Sequence, residues 1–319
     1  MILDVCQLEK IVVALGGNMI HRVTQRGTIG EQLENAEKIS FELANIVRKG
    51  YELLITHGNG PQVGNILHQN ERSKEIIPAM PLDVCGAESQ GMIGYILQNS
   101  LHNAFRKSGI EKVPMNIITR VVVDETDQAF RNPTKPVGPY YTAEEMDKVK
   151  REGWDLVEDP IKGYRRIVPS PYPKKIIEGA IIRRLVDLGL IVIAGGGGGI
   201  PVVEEEDGTL RGVEAVVDKD FVAEKLGVEI GAEVILFVMD IEKVAINFGK
   251  PNQQNLDKLS LTEAENYMDE GHFPPGSMGP KIRSAIGFLK AGGKKVVISS
   301  LETIEAALLG KAGTTLYRN

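Results

Sequence analysis

Two lysines stand at helix starts, where a cation is awkward unless an anion lies nearby, and a third lies in a proline-rich stretch. Lys219 sits in VVDKD (Val216 to Asp220) at the start of a helical stretch. Lys281 sits in GSMGPKI (Gly276 to Ile282) at the start of another, and Lys135 lies in NPTKPVG. A lysine at a helix N-terminus opposes the helix dipole, and a bound anion removes that conflict. Taken singly, each lysine also fits a solvated surface position. Glycines supply the complement, in clusters at 16 to 18 (Gly16-Gly17-Asn18), 58 to 64 (within HGNGPQVG) and 195 to 199. Such loops let backbone approach closely and aim several N–H groups at one anion. One loop is equally well a tight turn. Three suggest a ligand with more than one phosphate, or two anions side by side.

Familiar phosphate motifs do not account for these loops. GxxxxGK[ST] is missing, and Gly58-x-Gly60-x-x-x-Gly64 is one residue too long for GxGxxG. The histidines (21, 57, 68, 102 and 272) lack metal-ligand spacing, and no Ser/His/Asp arrangement stands out. His57, beside a glycine loop, reads as a structural hydrogen-bonding residue rather than a base. Phosphoryl transfer survives these absences, because it depends on positioning and charge stabilisation, and an anionic acceptor needs no base.

The elements that would position these groups follow from apolar pattern and punctuation. Buried strands are expected at Ile11–Leu15, Tyr51–Thr56, Ile117–Val123, Leu190–Ala194, Glu233–Met239 and Lys295–Ser299. Helices are expected over Glu31–Lys49, Ala87–Lys107, Lys175–Asp187, 219–226 with Asp218 as N-cap, and Pro280–Ala291. Capping boxes are read at Thr142–Glu145 and Ser260–Glu263, and Ser299–Glu302 is read as the cap of the last helix. Continuous apolar strands alternating with amphipathic helices predict a mostly parallel sheet covered on both faces. Ligands then bind at the carboxyl ends of the strands, where the glycine clusters fall. Residues 124–173 differ, being rich in Pro and charge and holding the only Trp, Trp154. They read as an inserted lobe or lid with a small core of its own, since structureless loops of this length are uncommon.

Composition narrows the function classes. The 319 residues suit about two domains' worth of chain, and glycine is in excess at 35 residues against a usual share near 7%. A net charge of −6 with no basic stripe argues against nucleic acid. No apolar run approaches the roughly 20 residues of a membrane span. The stretch from Met1 to Lys10 lacks a signal-peptide pattern, and two cysteines, Cys6 and Cys85, make no disulfide framework, which points to the cytoplasm.

Longer motifs carry a resemblance. VVALGGN (12–18), THGNGPQVG (56–64), PLDVCGAESQGMIGY (81–95), NPTKPVGPYY (132–141), VPSPYPKKIIE (168–178), AGGGGGIPVV (194–203), EAVVDKD (214–220), INFGKPNQ (246–253) and HFPPGSMGPKI (272–282) together resemble the carbamate kinases of the amino-acid kinase family, over nearly the whole chain. The resemblance implies a three-layer αβα sandwich with an open, mainly parallel eight-stranded sheet and a protruding subdomain. It implies a single domain in which 1–123 plus 174–189 hold carbamoyl phosphate, 124–173 protrude, and 190–319 hold the nucleotide. The implied reaction is carbamoyl phosphate plus ADP giving carbamate plus ATP, reversibly, with Mg²⁺ carried by the nucleotide. A homodimer and an ATP-forming role in arginine fermentation are implied too.

By the same resemblance, Gly16, Gly17, Asn18, Gly58, Asn59 and Gly60 would line the transferred phosphoryl group. Lys219 and Lys281 would neutralise its charge, Asp220 would hold those lysines, and Lys135 would clamp carbamoyl phosphate from the protruding lobe. Gly195, Gly196, Gly197 and Gly198 would lie near the nucleotide phosphates, with Asp240, Met278 and Pro280 forming the nucleotide pocket. Met239 stands where the family often has Thr before Asp, and Ala245 where an aromatic is common; both belong to the nucleotide side. Two other functions compete: an amino-acid kinase for a larger carboxylate such as acetylglutamate, and a nucleotide-binding regulator without turnover.

Overall fold

The computed structural model describes residues 9–22, 24–151, 153–159, 163–274 and 278–318. Residues 1–8, Cys6 among them, and Pro275 to Ser277 of the HFPPGSMGPKI motif lie outside them. Eight strands form the main sheet: β1 Lys10–Leu15, β2 Glu52–His57, β3 Pro114–Asn116, β4 Ile191–Ile193, β5 Val234–Met239, β6 Lys258–Ser260, β7 Lys295–Ser300 and β8 Thr314–Tyr317. Their order is β6-β8-β7-β5-β1-β2-β4-β3, and every neighbouring pair is parallel except β7 with β8.

Alternation along β1 sends side chains to two cores. Ile11, Val13 and Leu15 pack with helices α1 (Ile29–Arg48) and α3 (Leu82–Lys107), through Ile39, Leu43, Ile93 and Leu97. Val12 and Ala14 face the other layer, with Ile182 of α4 (Gly179–Asp187), Val222 and Leu226 of α5 (Lys219–Ile230), and Ile282 and Phe288 of α6 (Met278–Lys290). Strands apolar on both faces therefore sit between two helical layers, as the pattern requires. Among the described residues no helix is long and apolar enough to cross a membrane.

Register sets the geometry of the loops. Leu15 lies opposite both His57 and Val238, and Ile55 opposite Ile193. The glycine clusters after β1, β2 and β4 consequently leave the same edge from three adjacent strands. Helix α2 (Gly60–Ser73) starts inside the second cluster. That helix is absent from the sequence-based expectation, because glycines and Pro61 read as breakers there. Pro61 is in the first turn, where a proline's missing N–H costs nothing.

Four local expectations change. The strand expected over 117–123 forms only at Arg120–Val122, and in a different sheet, alongside Ile200–Glu204. Gln90 of α3 causes the break: its Oε1 accepts the Thr119 N–H at 2.9 Å and its Nε2 donates to Thr119 O at 3.2 Å. Residues Lys175–Ile176 are strand rather than helix, because they pair with Val121 and Val122. Pro280 is third in α6, not first. Ser299 does not cap: its Oγ lies 2.8 Å from Thr303 Oγ1, and one 3-10 turn precedes the final helix Ile304–Leu308.

Within 124–173, strands Lys135–Tyr141, Leu156–Asp159 and Gly163–Val168 make an antiparallel sheet, and the Thr142–Glu145 capping box opens a short helix, Ala143–Arg151. Among the described residues, the apolar cluster that includes Val137 and Val168 of this lobe is shared with Val63, Leu82 and Cys85 of α2 and α3.

Helix α1 begins with a full capping box, Thr28 and Glu31 each bonding the other's backbone N–H. Thr28→Ala is expected to destabilise the fold by about 1 kcal/mol, read as a lower urea midpoint at unchanged m-value.

Candidate phosphoryl-transfer site

The loops after β1 and β2 touch backbone to backbone. A Cβ on Gly58 would sit 2.6 Å from Gly17 Cα and 2.8 Å from its nitrogen, so the second loop admits no side chain there, whereas a Cβ on Gly17 would make an ordinary contact at 3.9 Å. Gly58 N–H donates to Leu15 O at 3.0 Å, which locks the second loop onto the end of β1. Asn59 follows, its Nδ2 donating to Ser89 Oγ of α3 at 2.8 Å. Gly197 approaches so closely that a Cβ would lie 2.2 Å from Asn59 Nδ2. These contacts gather Gly17, Gly58, Asn59, Gly60 and Gly197 on one wall of a cavity of about 210 Å³.

The facing wall carries the charges. Lys135, Lys219, Asp220 and Lys281 all line this cavity, with Asp218. Asp220 is only 2% exposed. One of its carboxylate oxygens accepts from Lys219 Nζ and the other from Lys281 Nζ at 2.9 Å. Ser284 Oγ of α6 donates to the Asp220 carbonyl at 2.6 Å, tying the two helices beside the cluster. Asp218 serves twice. Its Oδ1 caps α5 by accepting the Asp220 N–H at 3.0 Å, and its Oδ2 accepts from Lys135 Nζ at 2.9 Å.

Burial by itself would raise the Asp220 carboxyl, but the charges of Lys219 and Lys281 outweigh it and hold the group below the usual carboxylate range. Its ion pairs are therefore present at neutral pH and lost as pH falls through the depressed value. Burial, and then repulsion from Lys219, push the Lys281 ammonium below the ordinary lysine range, with Asp220 opposing both. The N-termini of α2, α5 and α6 lie at or beside the cavity, adding positive ends to three lysines and two aspartates. The arrangement suits a multiply charged anion.

Other candidate residues lie elsewhere. Gly16 donates its N–H to Val238 O at 2.9 Å, and Asn18 is exposed in the next turn; neither is on the cavity wall. Gly195, Gly196 and Gly198 are buried against protein. A Cβ would lie 2.8 Å from Val222 Cγ1, 2.3 Å from His57 Nε2 and 1.8 Å from Val217 O, respectively. Those three glycines serve packing, and of the five only Gly197 faces the cavity. His57 is fully buried under Gly196. Burial lowers its pKa to about 4 against the hydrogen bond to Gly58 O, so it is a neutral packing residue.

A second cavity, of about 650 Å³, shares Lys135, Pro136 and Asp218 with the first and runs along α6 past Gly279, Pro280 and Arg283. Pro280 is on its wall. Met278 is buried in the core and Asp240 is exposed after β5, and neither is on the wall of either cavity. Phe221, Met268, Phe273 and Arg283 line the second cavity without having been singled out in sequence. Phe221 and Arg283 each lie within two residues of a predicted charge, the one signal that pointed to them.

Because both atoms at the Gly17–Gly58 contact are backbone, a methyl group cannot be accommodated by a side-chain shift. Gly58→Ala is expected to lower kcat/KM by about 10²-fold, the effect of an ångström-scale displacement of reacting groups. Circular dichroism of the variant should match the parent chain.

The amino acid kinase family profile matches residues 9–300. The carbamate kinase of Pyrococcus horikoshii is 49% identical over 309 residues, covering 96% of this chain and 98% of the relative. That of Thermococcus kodakarensis is 48% identical over 315 residues, covering 98% and 100%. A solved structure, carbamate kinase from Giardia lamblia bound to AMP-PNP, superposes with a TM-score of 0.93 at 39% identity, covering 98% of this chain and 99% of that one. With a family profile across nearly all its described residues and relatives almost half identical along their full length, this chain is a phosphotransferase that belongs to the amino-acid kinase family, among its carbamate kinases.

Proposed function

We propose that the chain moves a phosphoryl group reversibly between carbamoyl phosphate and ADP, giving carbamate and ATP. The observation that carries this reading is the Lys219–Asp220–Lys281 cluster facing paired glycine loops in one cavity. In the ATP-forming direction an ADP β-phosphate oxygen attacks phosphorus as the bond to the carbamate oxygen breaks. Nucleophile and leaving group are both anions, so no proton has to move. The work is to hold three charged equatorial oxygens as they flatten. Lys219 and Lys281 face that charge, with backbone N–H groups of the glycine loops opposite them. Asp220 keeps the two ammonium groups at a fixed separation. Lys135 binds carbamoyl phosphate, exchanging its Asp218 partner for the substrate. Mg²⁺ carried by the nucleotide would offset phosphate charge in this reading.

The second cavity, opening from the same lysine and aspartate, is the place for the nucleotide in this reading. A larger acceptor such as acetylglutamate fits less well. Its remote end needs an anchor, and beyond the three lysines and two aspartates the side chains lining the first cavity are Val63, Pro136, Val137, Val216, Val217 and Asn59, whose amide already donates to Ser89. The reading extends to a cytoplasmic homodimer, which sedimentation velocity checks.

ATP formation from carbamoyl phosphate and Mg-ADP, read by luciferase with acetyl phosphate and acetylglutamyl phosphate as comparison donors, tests the reaction. ATP from carbamoyl phosphate well above the other two is expected, and no ATP from any donor overturns it. Lys219→Ala and Lys281→Ala should each lower kcat by about 10²-fold or more, as for removed oxyanion donors; unchanged turnover in either rejects its role. Lys135→Ala should chiefly raise the KM for carbamoyl phosphate. A change confined to the KM for ADP would show that it serves the other substrate.

A further inference from the structure

The chain passes between the 135–168 lobe and the main sheet twice, and both crossings meet at Tyr172. On the outgoing crossing, Asp127 Oδ2 accepts the Tyr172 N–H at 3.1 Å. On the return, the Tyr172 ring packs against Phe221 of α5 with centroids 5.0 Å apart, and its hydroxyl donates to Glu224 Oε1 at 3.0 Å. Lys225 Nζ lies 5.0 Å above the same ring.

Glu224 is an acid only 8% exposed that the phosphoryl chemistry does not use. It stands one turn beyond Asp220 on α5, and the neighbouring helix leaves room for it. A Cβ on Gly287 would lie 2.5 Å from Glu224 Oε1. Burial raises its carboxyl above the usual range, with the Tyr172 hydrogen bond acting against that. A carboxylate this buried needs partners, and Tyr172 supplies a hydrogen bond and Lys225 a neighbouring positive charge.

What the Tyr172–Glu224 bond orders follows from the register. Lys135 begins the first lobe strand and pairs with Val168, the last residue of the returning strand. That pair is the base of the lobe, between Asp127 on one crossing and Tyr172 on the other. We propose that Tyr172 and Glu224 are positioning residues: their hydrogen bond fixes the lobe's base to the helix that starts with Lys219 and Asp220, and so holds Lys135 in reach of carbamoyl phosphate. The inference rests on the role given to Lys135 above. Neither residue lines either cavity. Their effect passes through the placement of one ammonium group, to which binding is sensitive at the ångström scale.

Tyr172→Phe keeps the ring and removes one hydroxyl. It is expected to raise the KM for carbamoyl phosphate about fivefold to tenfold, with kcat and the KM for ADP within about twofold; these are effects of order one lost hydrogen bond. Glu224→Gln, which retains an acceptor, should stay near the parent values, and Glu224→Leu should behave like Tyr172→Phe. The deciding measurement is a double-mutant cycle. In a Lys135→Ala background, Tyr172→Phe should change the KM for carbamoyl phosphate no further. Multiplying effects in the cycle, a KM shift confined to ADP, or a lower Tm with unchanged KM overturns the proposal. Failure of the Lys135 role itself shows separately, in Lys135→Ala alone.

Discussion

Asp220 held between two lysines is the interaction on which the rest of the site depends. Two ammonium groups placed side by side in a buried pocket repel each other and lose hydration. A carboxylate buried without partners is worse placed still. Together they are tolerable, because each Asp220 oxygen takes one lysine, and Ser284 secures the backbone at the same point. The cluster lines the same cavity as the glycine loops. There the lysines keep positive charge for an incoming anion.

This constraint explains much of the surrounding architecture. Lys219 and Asp220 are adjacent on α5, while Lys281 comes from α6, so those helices must lie against each other on one face of the sheet. Gly227 at their contact makes that approach possible: a Cβ there would sit 2.9 Å from Phe288 of α6. The parallel sheet supplies the opposite wall. Three adjacent strands end at one edge, and their loops are close enough that Gly17 meets Gly58 and Gly197 meets Asn59. A single-loop phosphate motif gathers its donors within one turn of chain. Here the donors come from separate loops, and the sheet register does the gathering.

The lobe adds the third lysine by a different means. Lys135 is neither on the main sheet nor on a helix flanking it, so its position depends on how the lobe is joined to the body. The lobe shares an apolar cluster with α2 and α3, and Asp218 links Lys135 to the cap of α5. One aspartate thus connects the lobe to the helix carrying Lys219 and Asp220. The two cavities meet at this point, sharing Lys135, Pro136 and Asp218.

Much of this was legible in the chain itself. Apolar runs of three to six residues marked the central strands, since a strand buried on both faces has little choice of side chain. Local hydrogen bonds made Asp218 readable as a cap, and Thr142–Glu145 and Ser260–Glu263 as boxes. Glycine clusters and lysines at helix starts announced anion chemistry, because each is unfavourable without a compensating partner. What the chain alone could not determine involves partners distant in sequence. Gln90 breaks the expected 117–123 strand from 29 residues away, and the meeting of Lys281 with Asp220 spans 61. Likewise five consecutive glycines look alike as residues. Only the packing of Val222, His57 and Val217 around three of them decided that Gly197 faces the cavity. Local structure follows from near neighbours and their hydrogen bonds. The site itself is an arrangement of charges and backbone from separate elements, which only tertiary packing brings together.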